Sequence, residues 1–457
     1  MKGNGMDMIR RLSFDALVVG GGIAGLQAAL DLGDQGFKVA VVEKDSSIGG
    51  KMIRLSKVFP TLDCSSCITT PKMAAAAHHE NISIFTWCEI LSLPKNSEGG
   101  FTAGIRQKPR YVDSVKCIGC RQCEYVCPVY VPDPEQGGFA ARKAIYVPFS
   151  NAIPQIALLD MDNCMLCGKC QKVCPAEAVN YLQEPQDFEI EARAVILATG
   201  FEMTPVENKR QYGEGSLPNV ITALQMERLL APHGPYNRVL RPSDGMEPES
   251  IAYIQCAGSR DKSMGLSYCS RVCCMYAIKQ AMLLSGALPF ADIIVYYMDI
   301  RAFGKGYEQF FQTAMAMGIQ FTKGKVALLS GAEGGKVIVR YESQEADGGV
   351  HKAEHDLVVL SLGLIPGWHP ESSCSVSTGS DGFIRTIAPK MAPTLTDVKG
   401  VFVAGAASGP KDIVDTITEA GGAAMEASRY LFSLGGISRH ESEVPGLEPA
   451  RVQTEIR

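Results

Sequence analysis

Apolar positions follow a strand-and-helix rhythm along most of this chain, and one stretch breaks it. DALVV at residues 15–19 is a solid apolar run of strand length. GGGIAGLQAALDLGDQG follows as a glycine turn and a helix ending near Gly36, and FKVAVVEKD is a second strand. Strand, helix and strand in that order predict a βαβ unit. ISIFTWCEILSL at 82–93 reads as a further strand, and the alternation resumes in EARAVILATGF at 191–201. A second α/β unit spans 251–365, with strands IAYIQ, ADIIVYYMD and DLVVLSLG and helices from about Ser270 and near 306–317. KGVFVAGAA and a helix from about Thr416 close the pattern by residue 432. Between 107 and 185 the periodicity falls while cysteines and prolines rise, as expected of an inserted domain. The final segment, ISRHESEVPGLEPARVQTEIR, reads as a polar tail.

No apolar run reaches the roughly 18–20 residues of a membrane helix, and no N-terminal stretch suits a signal peptide. The 457 residues carry 46% hydrophobic and 20% charged side chains, the balance of a globular protein. A net charge of −5 with interspersed signs argues against a nucleic-acid partner and against a polybasic membrane patch. A soluble, cytoplasmic protein is expected, with membrane contact only through a partner. Sixteen cysteines change the picture. Without a secretory leader they point to metal or redox chemistry, not to disulfides.

Gly20, Gly22 and Gly25 form GxGxxG between the first strand and the first helix, with Ile23 and Ala24 inside it. The first glycine makes the turn, the second admits a pyrophosphate, and the third packs helix on strand. The helix N-terminus then meets the phosphates. Glu43 ends the second strand, placed to accept hydrogen bonds from ribose hydroxyls. Lys44, Gly50 and Lys51 join the expected cofactor-binding set. So do Thr199 and Gly200 at the end of a later strand, and Gly405 in VFVAGAA. This order resembles the two-dinucleotide-binding-domain flavoproteins such as thioredoxin reductase, which favours FAD over NAD. The resemblance implies an α/β fold of that class. It also implies a carboxylate after the late glycine, where this chain has Ala406; Lys411 or Asp412 is the expected substitute. The second α/β unit opens with Gln255-Cys256-Ala257-Gly258, so a cysteine stands where a nicotinamide-binding turn would have its first glycine.

Two runs of C-x2-C-x2-C-x3-C-P, at 117–128 and 164–175, form the pattern of a bacterial two-cluster ferredoxin. In that pattern the fourth cysteine crosses to the other cluster. Cys117, Cys120, Cys123 and Cys174 are thus expected around one [4Fe–4S] cluster, and Cys164, Cys167, Cys170 and Cys127 around the second. Zinc sites have no need of two interleaved runs. Cys269, Cys273 and Cys274 crowd the start of a helix and Cys256 ends a strand. Spacing alone leaves two readings, a third, irregular cluster or buried reduced thiols. The pair Cys64 and Cys67 admits a redox dithiol, a metal role or buried thiols. Cys88 and Cys374 read as packing residues, and His78-His79 as solvated.

LDCSSCITTPKM, PRYVDSVKCIGCRQCEYVCPV, RKAIYVPFSNAIP, QCAGSRD and YCSRVCCMYAIKQA together resemble the A-subunit family of heterodisulfide reductase over about residues 14–432. The resemblance implies that Cys256, Cys269, Cys273 and Cys274 hold an irregular [4Fe–4S] cluster beside the FAD, making three clusters. It implies that Lys279 lies near the reactive face of the isoalloxazine as a catalytic cation. It implies flavin-based electron bifurcation or confurcation between a ferredoxin-level carrier and a disulfide or similar acceptor. The implied partners are B- and C-type subunits of the same complex, ferredoxin, and a hydrogenase, formate dehydrogenase or NADH module, with a homodimer inside the complex. Against the long family members, the chain is expected to lack an N-terminal extension and a C-terminal ferredoxin domain. The rival readings are the A-type component of a quinone-interacting membrane-bound complex and a relay that does not bifurcate.

The expected organisation is an FAD-binding domain in three parts (1–106, 186–235 and 367–435), a 2[4Fe–4S] ferredoxin insert at 107–185, a degenerate NAD(P)-type domain at 236–366, and a tail at 436–457.

Overall fold

The computed structural model describes residues 10–213, 215–344, 348–370 and 373–435. The tail expected at 436–457 lies outside the described residues. Strand β1 (Arg10–Val19) alternates in exposure over its first half and is buried on both faces over its second. That change follows its sequence, since only the second half is continuously apolar. A glycine turn leads into α1 (Ile23–Gly33), which ends three residues before Gly36, and then β2 (Val39–Glu43). After α2 (Ser65–His78) the expected strand over 82–93 is two, β3 (Ile82–Thr86) and β4 (Cys88–Ser92). Trp87 between them takes a left-handed backbone, φ 62, which no strand continues through.

β5 (Phe101–Gln107) precedes the cysteine-rich segment, whose helices are α3 (Gln122–Val126) and α4 (Lys169–Val173). β6 (Gln186–Leu197) follows it. Gln107 and Gln186 are partners in the antiparallel β5–β6 ladder, so the insert leaves and rejoins the sheet at one point. The first sheet runs β3-β2-β1-β6-β5-β4.

β7 (Val220–Thr222) and α5 (Ala223–Leu230), which starts in a Thr222/Gln225 capping box, open the second sheet. They pack in its core, so this unit draws on residues before the expected boundary at 236. β8 (Ser250–Ala257), α6 (Cys273–Ala287), β9 (Asp292–Tyr297), α7 (Tyr307–Ala316), β10 (Gln320–Gly331), β11 (Val337–Ser343), β12 (Val350–His355) and β13 (Leu357–Leu362) complete it. Its order is β7-β13-β8-β9-β10-β11-β12, parallel through β10 and antiparallel beyond.

The chain then returns to the first sheet. β14 (Val401–Val403) pairs with the end of β6, and α8 (Ile413–Ser433) lies on α1. Ala420, Ala423, Ala424 and Ala427 form its buried stripe against Ala24, Ala28 and Ala29. Small side chains on both helices let the backbones approach. Cys88 is buried in the same domain and Cys374 packs against that core. His79, expected in solvent, is half-buried, with Nε2 3.3 Å from Asp34 Oδ1. Among the described residues no helix is long and apolar enough to cross a membrane.

Candidate redox site

A cleft of about 750 Å³ opens between the two α/β units. At one end Gly20 takes φ 107, and a Cβ there would sit 2.4 Å from the Ala198 carbonyl oxygen. A Cβ on Gly25 would sit 1.8 Å from the Gly20 oxygen, so Gly25 packs helix against turn and does not line the cleft. A Cβ on Gly22 would meet nothing within 4 Å. The turn therefore leaves its middle glycine open toward the cleft, at the N-terminus of α1. Glu43 is buried there. Its Oε2 accepts the Gly21 N–H at 2.6 Å and its Oε1 the Asp45 N–H at 2.8 Å. Burial, helped by the nearby Asp45 charge, pushes its pKa up to about 7. Each oxygen retains a lone pair for a further donor. This cradle and acid fit the pyrophosphate and ribose of FAD.

Ile23, Ala24, Lys44, Gly50, Lys51, Thr199 and Gly200 line the cleft. Lys44 and Lys51 converge on Glu202, at 3.0 and 2.7 Å, a carboxylate that no sequence motif marked. Gly405 does not line it. Its N–H donates to Glu419 Oε2 at 2.9 Å, and a Cβ there would lie 2.8 Å from that of Ala24, so it serves helix packing. Lys411 and Asp412 do line the cleft, yet both are committed elsewhere. Lys411 Nζ pairs with Glu419 and donates to Ser408 Oγ at 2.7 Å. Asp412 Oδ1 caps α8 through the Asp415 N–H, and its Oδ2 accepts the Tyr307 hydroxyl at 2.6 Å.

At the far end α6 is buried on nearly every side, and Lys279, at 2% exposed, reaches the cleft from it. Its ammonium donates to the Lys57 carbonyl at 2.8 Å and to the fully buried Glu227 carboxylate. Glu227 also accepts from Gln280 Nε2 and, at 2.9 and 2.7 Å, from the Ser56 N–H and hydroxyl. Lys279 and these hydrogen bonds hold its carboxyl below the usual range despite burial. Desolvation holds the Lys279 pKa below the ordinary lysine value. No motif marks Glu227, because it is an ordinary helix residue 52 positions from its partner.

Cys273 and Cys274 form the first turn of α6, which has no side-chain cap. Two loops meet there. The Ser259 and Ser270 hydroxyls hydrogen-bond at 2.6 Å, the Arg260 N–H donates to the Tyr268 carbonyl at 2.9 Å, and both serines are buried. These bonds pin the loop after Cys256 to the loop that carries Cys269. Cys274 and Cys269 add to burial in pushing the Cys256 thiol up to about 11. Cys256, Arg260 and Arg271 all have left-handed backbones, φ 57, 54 and 59. Strain of this kind persists where the surroundings over-determine it, and functional sites collect it. An anionic sulfur cluster suits a helix N-terminus.

In the insert, Cys117, Cys120, Cys123 and Cys174 surround one small cavity, so its fourth cysteine comes from the other motif. The two motifs also fold alike. Gly119 and Arg121 in the first, and Leu166 and Gly168 in the second, take φ between 53 and 71 at matching positions. Cys127 and Cys170 belong to the insert's core, Cys164 packs against it, and Cys167 is exposed. Cys170 Sγ lies 3.1 Å from the Tyr181 hydroxyl. The donor set, soft sulfur in two matching runs with Cys174 of the second lining the cavity of the first, fits [4Fe–4S] clusters.

Fold and site define a two-dinucleotide-binding-domain flavoprotein carrying a ferredoxin insert. An FAD-binding domain family matches residues 15–56, and the 4Fe-4S dicluster domain family matches 116–178. Thioredoxin reductase structures from T. acidophilum (17% identical, TM-score 0.51) and Lactococcus lactis (13%, TM-score 0.52) align with 93% and 92% of this chain and 99% of theirs. That likeness concerns the fold alone. Among curated proteins, the A-type polypeptide of the ferredoxin:CoB-CoM heterodisulfide reductase of Methanosarcina mazei is 43% identical, over 92% of this chain and 54% of its own length. The iron-sulfur A-type polypeptide of the CoB–CoM heterodisulfide reductase of Methanocaldococcus jannaschii is 45% identical, over 90% and 63%. Its counterpart in the H(2)/formate:CoB-CoM heterodisulfide,ferredoxin reductase of Methanococcus maripaludis is 46% identical, over 89% and 63%. The chain thus spans between half and two-thirds of these relatives. Over the part they share, it is similar to the A-type polypeptides of heterodisulfide reductase.

Proposed function

We propose that this protein is the FAD- and [4Fe–4S]-bearing electron-transfer component of a heterodisulfide reductase-like complex, an oxidoreductase that divides electron pairs between a ferredoxin-level carrier and a disulfide acceptor. One observation carries the reading. Cys273 and Cys274 open α6, the Ser259–Ser270 hydrogen bond draws the loop after Cys256 against the segment that carries Cys269, and the next turns of that helix line the cleft. In the proposed assignment these four cysteines hold the irregular cluster, and the two crossed quartets of the insert hold the other two.

Bound FAD supplies the conversion between two-electron and one-electron chemistry, and the clusters supply single-electron transfer. The chain's own residues do the rest. Gly20, Gly22 and Glu43 hold the nucleotide end. Lys279 presents a buried positive charge to the other end, where it favours negative charge on whatever lies against it. Glu227 fixes the position of that charge through an ion pair shielded from water. Cys256 occupies the turn at which a nicotinamide domain would receive its phosphates, so the second domain serves metal instead of hydride. B- and C-type subunits, ferredoxin and a hydrogenase, formate dehydrogenase or NADH module are the proposed partners. The names of the relatives support ferredoxin, and H(2) or formate, in those roles.

The native complex, purified anaerobically, should carry about twelve irons per flavin on this polypeptide. It should reduce ferredoxin only while a disulfide acceptor is being reduced. A count of about eight irons, or ferredoxin reduction indifferent to the acceptor, would overturn the assignment.

A further inference from the structure

We propose that Cys64 and Cys67 form a redox-active dithiol that exchanges with disulfide compounds at the protein surface. The pair stands outside the cleft lining and outside the twelve cysteines assigned to clusters. Cys64 is the N-cap residue of α2, a helix of 14 residues. Its sulfur accepts the Cys67 backbone N–H at 3.3 Å. The Cys64 sulfur thus lies against the backbone of the residue that carries the second thiol, one helical turn on, which places the pair to close a bond.

Their surroundings give them different roles. The helix N-terminus favours a thiolate at Cys64. So does Lys57, whose backbone forms a bridge with Cys64 and whose charge acts on its sulfur. The neighbouring Cys67 thiol first, then the Cys67 and Ser66 N–H groups and the Lys57 charge, lower the Cys64 thiol pKa, while the same pairing raises Cys67, which keeps its proton. Cys67 is exposed and Cys64 half-buried, so both are open to a reagent. Inert packing thiols would be buried and raised together.

In the exchange, Cys64 thiolate attacks one sulfur of a disulfide R–S–S–R. The S–S bond breaks, the first R–S⁻ leaves and takes a proton, and a mixed disulfide forms on Cys64. Cys67 then loses its proton and attacks the Cys64 sulfur, and the second R–S⁻ departs with that proton. The pair is oxidised by two electrons, and the disulfide is reduced to two thiols.

The dithiol is also tied to the cleft. The Ser65 N–H donates to the Ser56 carbonyl, and Ser56 and Lys57 are the residues that hold Glu227 and Lys279.

The test uses the full-length protein, purified anaerobically and equilibrated in buffers of varied oxidised-to-reduced glutathione ratio. After acid quench and alkylation, mass spectrometry follows the peptide carrying both cysteines. The expected result is one transition from two alkylated thiols to an internal disulfide, reversed by dithiothreitol. Cys67→Ser should accumulate a glutathione adduct on Cys64. Cys64→Ser should form its adduct on Cys67 about tenfold more slowly at neutral pH. Iron content should be unchanged in both variants. Two alkylated thiols across the whole range would overturn the proposal, and the unmodified protein alone decides that point. So would faster adduct formation on Cys67, or loss of about four irons in either variant, which would make the pair cluster ligands.

Discussion

The insert and the second α/β domain both gather cysteines, and they do it in opposite ways. In the insert the cysteines sit in two short runs, and repeated left-handed residues curl each run around its sulfurs. Cys120 and Cys167 remain exposed. In the second domain one cysteine ends a strand and three others lie 13 to 18 residues on, with the loop after the first pinned to the loop before the helix by a buried serine pair. There Cys256, Cys273 and Cys274 are all buried. A site made by local turns can be carried as a cassette between two paired strands. A site made by packing holds only while the domain around it holds.

The contrast makes testable differences. The largest is in metal content. Cys256→Ala should remove about four irons and leave the insert's two clusters intact, read by iron assay and by electron paramagnetic resonance. Retention of all the iron would break the distinction, because Cys256 would then not be a ligand. Next comes the join between the second domain and the flavin domain. Lys279→Ala strands the Glu227 carboxylate among buried groups, and should cost about 3–5 kcal/mol in denaturant unfolding. The double variant Lys279→Met/Glu227→Leu should recover most of it. The smallest effect belongs to the join between flavin domain and insert, where Arg54 grips Glu135 at 2.5 and 2.7 Å with each side chain about a quarter exposed. A double-mutant cycle across that pair should return about 1 kcal/mol or less. A larger value would mean that the cassette depends on its host as much as the second domain does.

Much of the site is legible in the order of residues alone. The glycine turn, Glu43 and the two cysteine runs each lie within a short span, and their chemistry follows from local spacing. Asp412 illustrates what is not legible. In the sequence it is a spare carboxylate near the expected cofactor, but it is the cap of α8 and the acceptor for Tyr307. Gly405 likewise reads as a cofactor glycine, yet it is needed where β14, α1 and α8 crowd together. Trp87 ends a strand that apolar alternation would have continued. Glu227 is invisible because a burial partner far along the chain leaves no periodic trace.

By itself the sequence determined the two α/β units, the nucleotide turn and the ferredoxin cassette. Their geometry is set by neighbours within a few residues, where composition and spacing dictate the backbone. Only the tertiary structure decided that the loop after Cys256 packs against the one before α6, that Lys279 is buried against Glu227, and that Cys67 stays at the surface with Cys64 half-buried beside it. Those outcomes depend on which loops pack against which, and on the water excluded when they do, and neither quantity is written in local spacing.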